Sequence, residues 1–254
     1  MEQTGKCFNI NQIKMIAIIA MTIDHIAWVA FPGYAIDPLP LLMHSIGRIT
    51  CPIMCYCIAE GYHYTKNINK YTSRLFLFSI ISHFAYVFFS SGFADWRAFV
   101  PFYGGDILNQ TSVMWSLAWG LVMLRVANST KIKQKLLKVL LVVLICAISF
   151  PSDWSCIASL WILAFGTNRG NFKAQMLWMI FYVAIYAGVY FFMLNQVYAL
   201  LQMLVVLAIP VLKAYNGQKG SNYRLNQVMK WGFYVYYPLH LIVIGWISLY
   251  TATN

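Results

Sequence analysis

Five ionisable side chains lie inside long apolar runs of this 254-residue chain. Asp24 and His25 fall in MTIDHIAWV, Arg48 in HSIGRITCPI, His83 in LFSIISHFAY and His240 in YVYYPLHLIVI. Ionisable groups are expensive in such surroundings, so they mark places where side chains pair with one another or do chemistry. An imidazole held by a hydrogen-bonding neighbour can act as a general base. A buried guanidinium can hold a phosphate, a carboxylate or a developing oxyanion. A base and an oxyanion stabiliser at one depth suit acyl transfer. The chain has no Gly-x-Ser-x-Gly elbow, HExxH or P-loop, so hydrolase, metalloprotease and NTPase readings have no support.

Depth can be counted along each helix. His25 is six residues from the end of its segment near Phe31, about 9 Å at helical rise. Arg48 is seven residues from the start of the next segment near Leu41, about 10 Å. The two segments run in opposite directions, so both groups reach one level. His240 and His83 come to a similar depth. Asp24 and His25 are neighbours about 100° apart on a helix, so Asp24 orients either His25 or Arg48. His44, Arg48, Cys51 and Cys55 form one stripe at helical spacing, flanked by Gly47 and Pro52. Plainer readings stand beside these. Arg48 can simply tie two helices together through Asp24, His83 reads as a satisfied interface histidine, and His44 as an outer-interface residue. Glu60 and His63, beside Lys66, read as a solvated cluster at the inner end of their helix, where Glu60 could also face a cytosolic ligand.

The elements that must position these groups follow from composition. The chain is 61% hydrophobic and 10% charged, with mean hydropathy +0.64. A soluble domain carries about 25% charged residues, so an ordinary globular protein, a disordered tail and a coiled coil are excluded. Nine apolar segments can be drawn, at about 12–31, 41–63, 72–93, 107–126, 134–150, 153–167, 172–192, 195–213 and 228–250. They predict an all-α polytopic transmembrane bundle of about nine helices, with 1–254 as one integral-membrane domain. The first segment carries Asp24 and His25 and lacks a small-residue cleavage site, so it does not read as a signal peptide. The fifth and sixth, near 15 residues, reach only about 22 Å and are either short tilted spans or one broken hairpin.

The net charge of +11 reflects sidedness rather than nucleic-acid binding. Every Lys and Arg except Arg48 and Arg97 falls at the N-terminus or in the second, fourth, sixth and eighth loops and their flanks. Asp37, Asp95, Asp106 and Asp153 fall on the opposite side. The expected topology has the N-terminus cytoplasmic and the C-terminus outside. Five of the six cysteines fall inside or beside apolar runs and read as buried thiols, and none forms a zinc-type pair; no metal is expected.

Four runs carry a resemblance: KMIAIIAMTIDHIAWVAFP, IGRITCPIMCYCIAEGYHYTKNINKYTSRLFLFSIIS, GGDILNQTSVMWSLAWGL and FYVYYPLHLIVI. In order and spacing they resemble the TraX family of integral-membrane proteins, named for a conjugative-plasmid protein that acetylates the pilin N-terminus. The matching motifs are Asp24-His25-Ile26, Gly47-Arg48 with Pro52, Glu60-Gly61, and Tyr237-Pro238-Leu239-His240-Leu241. Two places depart from the family pattern, Gln110-Thr111-Ser112 and Asp153-Trp154-Ser155. They bear on the acceptor rather than on the fold.

The resemblance implies transfer of an acetyl or short acyl group from cytosolic acetyl-CoA to an amine or hydroxyl at or across a bacterial inner membrane. Acetyl-CoA enters as the acyl-donor substrate. In that reading His25 is the base, Arg48 or a neighbour stabilises the oxyanion, Asp24 orients, and His240 is a second acid/base or orienter. The coenzyme is expected to meet Glu60, Lys66 and Arg74 at the basic end and Arg48 deeper in. Its partners would be lipid, the thioester, and a pilin-like N-terminus, glycan or lipid as acceptor. A proton-coupled transporter would also place Asp, His and Arg at mid-depth, though no repeat or matched helix breaks support one. A scaffold protein would tolerate neutral residues at 25 and 48.

Overall fold

The structure, a computed structural model, describes residues 7–91, 96–100 and 108–253. Lys6, Asp95, Asp106 and the start of the GGDILNQ run lie outside the described residues. Within them the chain is helical, with two isolated β-bridges and no strand. Among the described residues, each of the nine apolar segments contains helix, and two are broken in the middle. The helices are α1 (Ile10–Ala30), α2 (Pro38–Gly47), α3 (Thr50–Tyr64), α4 (Ile68–Ser91), α5 (Val113–Ala127), α6 (Lys135–Ser149), α7 (Ile157–Thr167), α8 (Phe172–Met193), α9 (Gln196–Gln202), α10 (Ala208–Lys213) and α11 (Tyr223–Thr253). A 3-10 turn, Met203–Leu207, joins α9 to α10.

Local sequence explains the helix starts. Asn9 caps α1 in a reciprocal box with Gln12, whose side chain takes the Asn9 amide. Asn171 and Asn195 cap α8 and α9 through the amides of Ala174 and Tyr198. Pro38 opens α2 at a position where no amide is needed. Pro52 falls in the first turn of α3, just after the break at Arg48 and Ile49. Pro238 lies inside α11 and leaves the Tyr234 carbonyl without its helical donor.

Among the described residues, six stretches are long and apolar enough to cross a membrane: Ile10–Ala30, Pro38–Tyr64, Ile68–Ser91, Phe172–Met193, Gln196–Lys213 and Tyr223–Thr251. Three helices are shorter. At 15, 15 and 11 residues, α5, α6 and α7 extend about 22, 22 and 16 Å. Two of these form the centre of the molecule. α5 and α7 are buried around most of their circumference, as helices apolar on every side must be. They meet closely because Gly120 lies against the Ser159 backbone and Gly166 against Leu124. The Ser159 hydroxyl donates to the Ser116 carbonyl at 2.6 Å. In contrast, α6 turns Leu136, Val139, Leu140 and Val143 outward. The fourth segment begins its helix at Val113 rather than near 107, because residues 108–112 are irregular.

Those irregular residues grip the turn between α6 and α7. Gln110 and Thr111 donate to the Pro151 carbonyl, and the Asp153 amide donates to Thr111 at 2.8 Å. Trp154 and Ser155 follow at φ +63° and +49°. Side chains there cost of order 1–3 kcal/mol each and persist only where surroundings impose them. The two departures from the family pattern thus form one joined structure. At the other end the N-terminus pairs with the loop after α10: the Phe8 amide donates to Ala214 at 2.9 Å, and Asn216 donates back to Phe8 at 2.9 Å.

Candidate active site

Asp24 and His25, adjacent on α1, serve different partners. The Asp24 carboxylate accepts two hydrogen bonds from Arg48 Nη2, at 3.0 and 3.1 Å, and a third contact from His44 Nδ1 at 2.8 Å. Gly47 makes this approach possible. A Cβ there would stand 2.3 Å from the Asp24 Cβ, so only glycine lets α1 and α2 come this close. The other two Arg48 nitrogens are also engaged. Nη1 donates to Gln202 Oε1 at 2.9 Å, and Nε to the His44 carbonyl at 3.2 Å. The guanidinium lies 5.3 Å from the Trp154 ring centre. The strained turn after α6 is what brings that ring to it. Arg48 and Asp24 therefore form a buried, hydrogen-bonded ion pair that joins α1, α2 and α9.

His25 bonds to His240 instead, Nδ1 to Nε2, at 2.8 Å. His240 Nδ1 lies 2.9 Å from the Tyr236 carbonyl of its own helix. A carbonyl only accepts, so the His240 proton is on Nδ1 and its Nε2 is a lone pair. His25 must then donate from Nδ1, and with both rings neutral its Nε2 carries a lone pair. This chain of bonds sets the tautomer that a general base needs. The Phe89 ring meets His25 edge-on at 5.4 Å, and Tyr236 stacks on His240 at 5.1 Å.

Two cavities reach this region. A small one, about 40 Å³, is lined by Asp24, His25, Thr50, Asp153, Trp154 and Tyr237 among others. A large one, about 680 Å³, opens at the basic end and is lined by Lys14, Glu60, Lys66, Arg74, Lys219 and Lys230 together with Tyr64, Tyr71 and Tyr223. That volume is usual for a site that holds a small organic ligand. Met54, Met114, Leu117 and Phe233 line both cavities, so a single apolar partition separates the basic vestibule from the histidine chamber.

The structure thus unites Asp24, His25, Arg48 and His240, as their shared depth predicts. It answers the open question about Asp24 in favour of Arg48. Glu60, Lys66 and Arg74 gather at the vestibule, with Glu60 bonded to Arg169 at 3.0 Å. Arg48 lines neither cavity. His83 stands apart, bonded to Thr111 Oγ1 at 3.0 Å and to the Phe99 carbonyl at 2.9 Å. His44 is no interfacial residue: it is 0% exposed and bonded to Asp24. Sequence reasoning also misses Gln202, Trp154 and Tyr198. Gln202 alone carries a signal, as an amide within the apolar run ALLQMLVVL.

With this geometry in hand, the comparisons with known proteins are decisive for kinship. The family described as TraX protein matches residues 9–248. The chain belongs to the TraX family. A curated relative, the "Probable fimbrial assembly protein FimC, serogroup H1" of Dichelobacter nodosus, is 28% identical and aligns over 93% of this chain and 94% of its own length. No solved structure matches. The TraX match takes in the helices that supply Asp24, His25, Arg48, Gln202 and His240, as well as the vestibule lining. The whole site therefore lies inside the family region.

Proposed function

We propose that this TraX-family protein is an acetyltransferase of a bacterial inner membrane, with its N-terminus and basic vestibule cytoplasmic. It takes the acetyl group of acetyl-CoA and passes it to an amine or hydroxyl of an acceptor at or across the membrane. The observation that carries this reading is the paired cavity. A large basic chamber shares one apolar wall with a small chamber that holds a histidine of fixed tautomer.

Each part suits the thioester. Lys14, Lys66, Arg74, Lys219 and Lys230 supply positive charge for the coenzyme phosphates. Arg74 Nε is buried without a partner, a donor left open for an anion. The pantetheine arm would pass Met54, Met114, Leu117 and Phe233, whose flexible or apolar side chains can yield to it. The inner chamber has room for about three waters, which suits an acetyl group and excludes a long acyl chain. His25 Nε2 takes the proton from the acceptor as its nitrogen or oxygen attacks the carbonyl carbon. The same imidazolium then returns that proton to the leaving sulfur. His240 holds the ring, and the Asp24–Arg48 pair holds α1 against α2. An acceptor such as an exported pilin-like N-terminus fits both the family and the fimbrial-assembly name of the relative.

The test is release of free coenzyme A thiol by detergent-purified protein given acetyl-CoA and an amine-bearing peptide. Transfer that depends on His25, with coenzyme binding retained in His25→Ala, supports the reading. Failure of the wild-type protein to bind any coenzyme A ester would remove it.

A further inference from the structure

A base alone leaves the oxyanion without a donor. Arg48, the residue that the sequence offers, has each of its three nitrogens engaged, by Asp24, Gln202 and His44, and lines neither cavity. Acyl transfer with no hydrogen bond to the oxyanion forgoes a factor of about 10²–10³ in rate for each missing donor. A different set of donors faces the inner chamber. Tyr237 lines it, is 2% exposed, and its hydroxyl has no hydrogen-bond partner. That hydroxyl comes close to the Ser112 side chain and the Val113 backbone without completing a well-formed hydrogen bond to either. Ser112 is the residue before α5, is 0% exposed, and neither caps the helix nor bonds elsewhere. Val113 begins α5 and also lines the chamber; its amide has no acceptor within the helix. A buried hydroxyl left unpaired is costly, and an oxygen placed in the chamber would satisfy it.

Tyr237 is also placed relative to the base. Its ring centre is 5.5 Å from that of His240, which in turn bonds His25. Pro238 follows it, so the backbone of α11 is locally freed between Tyr237, which lines the chamber, and His240, which bonds the base. The site has the features of an oxyanion hole: a helix N-terminus and a phenol that line a small pocket next to a base, with the buried Ser112 hydroxyl beside them.

Resting on the acetyltransferase reading, we propose that Tyr237 is a catalytic residue: its hydroxyl, together with the Val113 amide, binds the thioester carbonyl oxygen, with Ser112 as its support. The neutral acceptor nitrogen attacks the carbonyl carbon while His25 Nε2 takes its proton. The carbonyl π pair moves to oxygen, where the phenol and the amide donate to it. On collapse that pair re-forms the double bond, the carbon–sulfur bond breaks, and His25 gives its proton to the thiolate. Transfer of the acetyl group leaves the enzyme unchanged.

The experiment uses full-length protein in detergent, the Tyr237→Phe variant, and a ketone analogue of acetyl-CoA in which methylene replaces the thioester sulfur, carrying 13C at its carbonyl. On the wild-type protein the carbonyl resonance moves downfield, and most of that movement is lost in Tyr237→Phe. Turnover falls about 10²-fold in kcat, the usual loss for one oxyanion donor, with little change in KM for acetyl-CoA. If Tyr237→Phe does not fold, 3,5-difluorotyrosine at 237 keeps the ring and strengthens the donor, so the downfield movement grows. A variant that keeps both kcat and the carbonyl shift, or a fluorinated protein with an unaltered shift, overturns the role of Tyr237 and leaves the base reading intact. A wild-type protein that neither binds the analogue nor transfers acetyl groups overturns both.

Discussion

Two histidines that look equivalent in the sequence differ in the fold, and the difference separates scaffold from chemistry. His44 and His25 both reach the polar level between α1, α2 and α11. His44 is fully enclosed and bonded to a carboxylate that is already neutralised by Arg48. His25 donates to a second imidazole, and its other nitrogen keeps a lone pair beside a cavity. Around Asp24 both carboxylate oxygens and every Arg48 nitrogen are bonded, and His44 Nε2 is left without a partner. Around Tyr237 the phenol and the Ser112 hydroxyl are without partners, and Tyr237 and His25 line a cavity. The first cluster is tied up in bonds between helices, whereas the second has open groups beside a space that can take a ligand.

The contrast can be broken most forcefully on the structural side. Arg48→Gln leaves the Asp24 carboxylate buried without its cation, and loss of one partner of such a pair costs about 3–5 kcal/mol. The double variant Asp24→Asn with Arg48→Gln removes both charges and is expected to lose less than the single change. Thermal unfolding in detergent measures both, and a double variant less stable than Arg48→Gln would contradict the pair's role. On the chemical side, His240→Ala frees the His25 tautomer without removing the base. Transfer should fall about 10- to 100-fold, the usual loss for an orienting partner, and less than for His25→Ala. Equal loss in the two variants would mean that the imidazole pair acts as one unit, and would contradict a purely orienting role for His240.

Smaller effects sharpen the same division. Gly47→Ala forces α1 away from α2, at a cost of about 1–3 kcal/mol, the usual penalty for overpacking, read as a lower melting temperature. At the vestibule, Lys66→Gln should raise KM for acetyl-CoA a few-fold at low salt and leave kcat alone. The effect should shrink as salt screens the charge over a Debye length of about 8 Å. A change in kcat instead would place Lys66 nearer the reacting atoms than the cavity allows.

How much of this the sequence reveals depends on range. Hydropathy locates all nine segments, because insertion into an apolar phase is a property of about 20 residues at a time. Depth counted from helix ends brings Asp24, His25, Arg48 and His240 to one level. Rotation about each axis is another matter. One residue shifts direction by about 100°, so the choice of Arg48 over His25 as Asp24's partner rests on contacts across the chain. His44 is misread for the same reason: its position near the outer end of α2 says nothing of Trp28 and Tyr198, which cover it. The break at Arg48–Ile49 has a local signal in Gly47 and Pro52 on either side of it, whereas the strained Trp154–Ser155 turn is a tertiary feature with none. Gln202 has one, since an amide in an apolar helix needs a partner.

His25 and His44 hold separate jobs, and the two can be measured side by side. The direct measurement is acetyl transfer per folded molecule beside melting temperature for His25→Ala and His44→Ala. His25→Ala is expected to keep its fold and its affinity for acetyl-CoA while transfer falls by about 10²- to 10⁴-fold, the contribution of a positioned base. His44→Ala is expected to melt lower and transfer normally in the folded fraction. Normal transfer by folded His25→Ala would contradict that division.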